Sequence, residues 1–550
     1  MRSNEIREAF LSFFKKRGHA VVPSSSLIPD DPSVLLTTAG MQQFKPYYTG
    51  DANPLRDFGS KNTASVQKSF RTSDIDEVGD ESHLTFFEML GNFSFGGYFK
   101  KEAIRYAYDF FKELNLSIEY VSVFGGDPEV PADEESASIW KTLGIKDVRR
   151  MGREDNFWGP TGSEGPCGPT TEIYVEGVEI WNIVFNQYYQ KPDKTLEPLK
   201  TPGVDTGMGL ERLAMVMQKK KNIFETDLFM PLTSLLPTEV GEKKKRIIAD
   251  HIRGITFLLA DDVRPSNKEA GYILRRLMRR VMGYEKIDGI PSHIIDALVH
   301  EVIHEYGDFY PELAKHAETV QKEVREERGR FGKTLEQGIK EVYKFSEINA
   351  PIAFGLYETF GIPYEITKEV GGEKAGDLTR KSFDEEFKKH QERSRAGMEK
   401  KFGGHGLLLD TGELKAGNEE ELKVVTRLHT ATHLLNAALR KVLGDAVEQK
   451  GSDITAERTR FDFSFNRKLT PEEIKEVERL VNEAIQKDLP VTAKEYPLEE
   501  AKKTGALYMK KGKYPERVKV YTVGTDSEVF SRELCGGPHV VHTGEIGPFK

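Results

Sequence analysis

The sequence predicts an α+β protein of several domains. Residues 60–190 mix short aromatic, strand-like segments with a single strong helix. From Lys243 to His316 the pattern turns mostly helical, and a Gly-rich, acidic stretch follows at 402–420. After it a second mixed module begins. A chain of 550 residues has room for more than one core.

In chain order, Asn4 to Gly18 reads as an amphipathic helix, because Ile6, Phe10, Phe13 and Phe14 recur at helical spacing and Gly18 stops it. Loops rich in Pro and Ser come next. Residues 60–125 carry aromatic strands and a helix near Ala103 to Leu114. Residues 150–170, rich in Gly and Pro, read as loop. Glu172 to Val175 and Ile180 to Tyr189 alternate as strands. Gly329 to Gly338 and Asp384 to Lys401 read as helices on a charged surface. In the last module the pattern gives helix 426–443, strands around 458–465, helix 471–488 and strands near 518–523. No internal repeat or long low-complexity tract is present.

The formal net charge is −9, so no global attraction to nucleic acid exists, and such binding needs a local basic face. Two cysteines, Cys167 and Cys535, argue against a disulfide scaffold and for a reducing compartment. The chain shows no signal-peptide core and no run of transmembrane length. The expectation is a soluble cytoplasmic protein with no membrane partner.

Two constellations carry chemistry. In Val204-Asp205-Thr206-Gly207-Met208-Gly209-Leu210-Glu211-Arg212 two glycines permit close approach of a ligand, and a turn leads into a helix carrying Arg212. Upstream, Arg71 precedes a polar loop and then His83-Leu84-Thr85-Phe86-Phe87-Glu88. Guanidinium for phosphate and an aromatic ring for a base suit a nucleotide. The second constellation is His429-x-x-x-His433 on a helical run and Cys535-x-x-x-His539 in a Gly-Gly-Pro turn. Two histidines four apart are ordinary alone; the second pair makes a ligand set that suits Zn²⁺. Thr430 stands where a metalloprotease needs Glu, and the deaminase signature is absent.

The first constellation resembles the second and third motifs of class II aminoacyl-tRNA synthetases. Further strings narrow the resemblance to the alanyl-tRNA synthetase family. They are Thr85-Phe86-Phe87-Glu88-Met89-Leu90-Gly91-Asn92-Phe93-Ser94-Phe95-Gly96, Thr38-Ala39-Gly40-Met41-Gln42-Gln43-Phe44-Lys45, Asp155-Asn156-Phe157-Trp158, Gly165-Pro166-Cys167-Gly168-Pro169 and Glu179-Ile180-Trp181-Asn182-Ile183-Val184-Phe185. The resemblance runs from residue 4 to residue 550. It implies a class II antiparallel β-sheet catalytic domain at 1–235, a helical tRNA acceptor-recognition domain at 236–402, a linker at 403–425 and an α/β zinc-containing editing domain at 426–550.

It also implies roles. Arg71 would hold the ATP α-phosphate and the amino-acid carboxylate. Phe87 and Arg212 would sandwich adenine, with His83 and Gly209 beside the nucleotide and Mg²⁺ bridging the phosphates. Asp205 would pair with the ammonium of L-alanine, Asn182 and Trp158 would orient it, and Val184 and Gly207 would bound its methyl group. Carboxylate attack on a phosphate needs positioning and cations rather than a covalent nucleophile. A methyl-sized pocket admits glycine and rejects serine poorly, so a second check is required. By the same resemblance, His429, His433, Cys535 and His539 are zinc ligands, with Gln449, Ser452 and Cys535 in an editing pocket that hydrolyses Ser-tRNA(Ala) and Gly-tRNA(Ala).

Between Arg264 and Arg280 stand six basic residues and one acidic one. Arg275, Arg276, Arg279 and Arg280 recur at helical spacing and read as a basic face for tRNA phosphates, and the resemblance makes Asn267 the candidate reader of the tRNA(Ala) acceptor stem. The chain departs from the family at Pro538, where Thr is usual, at Glu358, where Asp is usual, and at Glu269-Ala270, where Gly-Arg is usual. The family's β-barrel insert has no counterpart between 402 and 426, nor its C-terminal dimerising domain after His539, so a monomer or weak dimer is expected. Three readings compete: a two-site synthetase, a paralogue that lost activation, and a non-enzymatic tRNA-binding protein. Intact Arg71, Asp205 and Arg212 favour the first.

Overall fold

The computed structural model describes residues 1–550 except 32–33, 161, 163, 390–407, 410–411, 416–418, 446, 456–457, 466, 509–514 and 526–527. The chain divides into two compact units, Met1–Asp384 and Glu385–Lys550. No described helix is long and apolar enough to cross a membrane.

The first unit is built on a sheet in the order Ala20–Val21, Asn62–Phe70, Phe86–Ser94, Leu196–Gly209, Val178–Gln190, Gly165–Val175, Tyr120–Phe124, Val148–Met151. The pairs at its two edges are parallel and the rest are antiparallel. Side chains alternate between the faces of a strand. On Val178–Gln190 this sends Trp181, Ile183 and Phe185 to one face, where all three are buried. There Phe10 and Phe14 of helix Ser3–Lys15 and Phe110 of helix Lys100–Glu113 pack with ring centroids 5.9–6.3 Å from Trp181. Asn182 and Val184 fall on the other face.

Two segments differ from the sequence reading. Residues 150–170 are not all loop, since a strand begins at Gly165. Its Gly168 lies so close to the next strand that a Cβ would sit 1.9 Å from the Phe185 carbonyl oxygen, so the glycine that suggests a loop is there for strand packing. Likewise the two glycines before Arg212 do not form a turn. Strand Leu196–Gly209 runs through both, pairing Gly207 with Asn182 and Met208 with Trp181, and helix Leu210–Met217 follows directly.

Helices Glu242–Ala260, Glu269–Ile287, Ser292–Tyr306, Ala317–Lys344, Ala350–Phe360 and Tyr364–Gly371 continue the same hydrophobic core, so the expected division at residue 235 runs inside it. Gly329 to Gly338 belongs to the longest of them. A buried charge network joins these helices to the sheet. Arg7 donates to both oxygens of Glu88, at 2.8 and 2.6 Å, and the Tyr310 hydroxyl donates to the same carboxylate at 2.8 Å. Glu211 accepts the Glu88 backbone N–H and, at 2.6 Å, the Arg253 guanidinium.

In the second unit, helix Glu419–Leu443 packs with Pro471–Gln486 around Leu434, Ala438 and Val481. Two sheets accompany them: one ending in the hairpin Glu448–Thr455 and Thr459–Ser464, the other formed by Val491–Pro497, Arg517–Gly524 and Val529–Leu534. The stretch expected as a linker, 403–425, contains strands Leu408–Leu409 and Gly412–Lys415 and the start of the long helix. Gly412–Lys415 pairs in parallel with Glu448–Thr455, a contact too distant in sequence for a four-residue pattern to reveal. Of the helix read at 384–401, the chain is helical to residue 389 and 390–401 lie outside the described residues.

Removing one partner of a buried ion pair leaves an uncompensated charge. Arg7→Met is expected to destabilise the protein by about 3–5 kcal/mol in urea unfolding. A loss under about 1 kcal/mol would mean that Tyr310 and the backbone hold Glu88 without the arginine.

Candidate active site and metal centre

The strand register assembles the first site. Glu172 lies opposite Asn182, and Asn182 opposite Gly207; one step along, Thr170 lies opposite Val184, and Val184 opposite Asp205. These two rows share the face away from the Trp181 core. They floor a cavity of about 330 Å³, a size ordinary for a small-molecule site. Every residue proposed from the sequence for this site lines it: Arg71, His83, Phe87, Trp158, Asn182, Val184, Asp205, Gly207, Gly209 and Arg212.

The geometry gives each a character. The Arg71 guanidinium lies 4.9 Å from the Phe87 ring centroid, and burial draws its pKa below the ordinary value. Arg212 Nη1 donates to the Glu179 carboxylate at 3.0 Å and to its backbone carbonyl at 3.1 Å. His83 Nδ1 lies 2.5 Å from Asp80 at the exposed rim. A Cβ on Gly207 would sit 2.9 Å from Met89 Sδ, so any larger residue there would displace the pocket wall. Burial alone pushes the Asp205 carboxyl up to about 7. Among the described residues nothing cationic offsets that burial.

Sequence reasoning missed several contributors, among them Met89, Thr170, Glu172, Glu179 and Glu211. The signal for two of them was present, since Thr170 and Glu172 are polar residues two apart in one strand and so share a face. Glu172 accepts hydrogen bonds from Asn182 Nδ2 at 3.2 Å, Ser122 Oγ at 3.2 Å and the Tyr174 hydroxyl at 2.7 Å. Burial, with Glu179 nearby, lifts its carboxyl to about 7 against those hydroxyls.

The basic helix is not the open basic face its spacing suggested. Arg280 is buried and donates to the Ile75 carbonyl at 2.7 Å, with His251 Nε2 at 3.2 Å. Arg276 pairs with Glu365 and, at 2.6 Å, with Asp76. Arg275 and Arg279 both approach Glu327, at 3.3 and 3.6 Å. Helix Glu269–Ile287 is packed on several sides, so its arginines meet internal carboxylates before they meet solvent. Arg276 and Arg280 are therefore ion-pairing and carbonyl-binding groups of the core, not phosphate contacts. Asn267 remains exposed, its side-chain oxygen accepting from Arg275. Asn267, Arg275, Arg276 and Arg279 line a second, smaller cavity with Tyr357 and Arg380.

In the second unit His429, His433, Cys535 and His539 each offer a ligand atom within 4.8 Å of the others. Helical spacing sets the first two on one face of Glu419–Leu443. Hydrogen bonds fix the tautomers. His429 Nδ1 donates to the Pro538 carbonyl at 2.9 Å, since a carbonyl only accepts. The Thr430 hydroxyl donates to the Thr426 carbonyl and so accepts from His539 Nδ1 at 3.1 Å. The Nε2 lone pairs of both rings then face Cys535 Sγ, each at 3.4 Å. Burial pushes His429 down to about 3 and His433 to about 4, keeping both rings neutral. Neutral nitrogens converging on a thiol, with the far nitrogens of His429 and His539 held, fit zinc. Glu533 Oε2 lies 3.8 Å from His433 Nδ1, and the Tyr521 ring lies 4.2 Å from that of His539. The departure at Pro538 leaves the orientation of His429 intact, because the backbone carbonyl does the orienting. A second grouping among the described residues, Glu301, His304 and Glu305, lies on a helix surface with His304 largely exposed.

Gln449 and Ser452 stand opposite Phe463 and Phe461, with a bulge between Gln449 and Gly451. The bulge puts these two residues, three apart in sequence, on one face of the strand.

Residues 5–436 match the model of class II tRNA synthetases (A), and residues 518–550 match the threonyl and alanyl tRNA synthetase second additional domain. An alanine–tRNA ligase of Treponema denticola is 45% identical over 594 aligned positions, covering 99% of this chain and 95% of that one. One of Borrelia hermsii is 43% identical over 593, covering 100% and 97%. One of Dehalococcoides mccartyi is 36% identical and matches all of this chain with 78% of its own length. With a class II sheet, a lined pocket at its two motifs and relatives matched along its whole length, the chain belongs to the alanine–tRNA ligase family of class II tRNA synthetases.

Proposed function

We propose that the protein activates L-alanine with ATP, transfers it to the 3′ end of tRNA(Ala), and hydrolyses Ser-tRNA(Ala) and Gly-tRNA(Ala) at a second, zinc-containing site. The single observation that carries activation is the pocket floor: a buried carboxylate, Asp205, beside the space left by Gly207, with Arg71 and Arg212 lining the same cavity. In this reading Asp205 takes the ammonium, and Val184, Gly207 and Met89 limit the side chain to about a methyl group. Arg71 draws the alanine carboxylate and the α-phosphate together. The carboxylate oxygen attacks the α-phosphorus of ATP, supplied as its magnesium complex. The α–β bridging P–O bond breaks, and pyrophosphate leaves with the electron pair. Phe87 and Arg212 hold the adenine between ring and guanidinium. A tRNA hydroxyl then attacks the carbonyl carbon and AMP departs.

The reading assigns activation to residues 1–235, acceptor-stem recognition to 236–402 and proofreading to 426–550. Asn267, exposed at the mouth of the second cavity, and its partner Arg275 are the proposed acceptor-stem contacts. For proofreading, His429, His433, Cys535 and His539 would hold zinc, which supplies positive charge in the pocket when bound. Gln449 and Ser452, on one strand face, would contact the misplaced amino acid. Water adds to the ester carbonyl and the tRNA hydroxyl leaves.

Alanine-dependent ATP–pyrophosphate exchange tests activation, and absence of exchange with alanine, serine and glycine would sink it. Asp205→Asn should raise the KM for alanine about 100-fold, the scale of a charge-assisted contact, and leave the KM for ATP nearly unchanged. Below about pH 7 the Asp205 carboxyl is protonated and cannot pair with an ammonium, so kcat/KM for alanine should fall as pH drops through that value and level off above it. A flat profile from pH 6 to 8 would remove Asp205 from the ammonium site. Cys535→Ala should lower the zinc content and let Ser-tRNA(Ala) accumulate while exchange continues; lost exchange with intact deacylation would reverse the assignment of the two sites.

A further inference from the structure

The alanine pocket proposed above contains an ambivalent group. The side-chain amide of Asn182 ends in an oxygen that accepts and an NH₂ that donates, and it can present either to the cavity by rotating half a turn. We propose that Glu172 is a positioning residue that fixes this choice, turning the Asn182 NH₂ away so that Oδ1 joins Asp205 in an acceptor-only cradle for the substrate ammonium. The proposal rests on the reading of this pocket as the amino-acid site.

Three observations support it. Glu172, Asn182 and Gly207 stand in one cross-strand row, so the carboxylate touches the amide from one side and the space above Gly207 opens on the other. A carboxylate can only accept, and Glu172 is surrounded by donors: Asn182 Nδ2 on Oε1, and Ser122 Oγ with the Tyr174 hydroxyl on Oε2. Finally, among the described residues Asn182 Oδ1 is buried without a hydrogen-bond partner. A buried acceptor left unsatisfied is costly, and a residue lining the cavity can have that oxygen satisfied by a bound donor. A primary ammonium supplies several N–H groups and matches two acceptors.

The test is a double-mutant cycle read by alanine-dependent exchange at pH 8, above the range in which Glu172 titrates. In Glu172→Gln the two hydroxyls hold the amide oxygen at the Oε2 position. The new NH₂ then faces Asn182, which must turn its oxygen toward it and its own NH₂ into the pocket. The KM for alanine should rise about tenfold or more, with the KM for ATP within about twofold. Asn182→Asp alone should also be harmful, because it sets a second carboxylate against Glu172. Combined with Glu172→Gln it should restore most of the alanine KM, since an aspartate presents an oxygen in either orientation. A packing role predicts additive losses instead. An unchanged alanine KM in Glu172→Gln, equal rises for alanine and ATP, or a double variant no better than Glu172→Gln alone would overturn the proposal. Wild-type protein without alanine-dependent exchange would overturn the reading of the pocket, and the proposal with it.

Discussion

The register between strand Val178–Gln190 and its two neighbours governs everything the first unit can do. As paired, it points Asn182 and Val184 into the cavity and Trp181, Ile183 and Phe185 into the core. A slip of one residue would exchange these sets, putting an amide among phenylalanines and an indole into the cavity. The aromatic cluster around Trp181 makes that slip expensive. The hydrophobic core thus holds the polar rows on the opposite face in alignment.

The same sheet tolerates buried carboxylates where guanidinium groups meet them. Arg7 and Arg253, from two different helices, and Tyr310, from the turn before Pro311, meet the buried carboxylates of Glu88 and Glu211. Glu211 directly precedes Arg212, so the network that anchors its carboxylate also fixes the start of the helix carrying the cavity-lining Arg212. The arginines of Glu269–Ile287 obey the same rule. Their charge is spent on Asp76, Glu327 and Glu365, and their contribution to the structure is ion pairing across helices.

In the histidine–cysteine cluster the groups that hydrogen-bond the rings are more informative than the four side chains themselves. A backbone carbonyl and a threonine hydroxyl each bind the far nitrogen of a histidine, which leaves the near nitrogens as lone pairs aimed at Cys535. Pro538 shows how such a shell absorbs sequence change. What the cluster takes from that position is a carbonyl, which every residue type supplies.

Several features were legible in the sequence by itself. Local strings specified the helix at Ser3–Lys15, the cavity-lining segments around Arg71 and Arg212, and the cluster of His429, His433, Cys535 and His539, because periodicity and residue chemistry are local properties. Pairing between distant segments is not local. Only the tertiary structure decided that Gly207 and Gly209 lie in a strand, that Gly412–Lys415 joins a sheet, and that Arg276 and Arg280 face carboxyl and carbonyl groups rather than phosphate. It also brought Glu172 to Asn182, two residues whose side chains meet only through the pairing of adjacent strands. A side chain's chemistry is written in the sequence, but its partner is set by which strands and helices pack together.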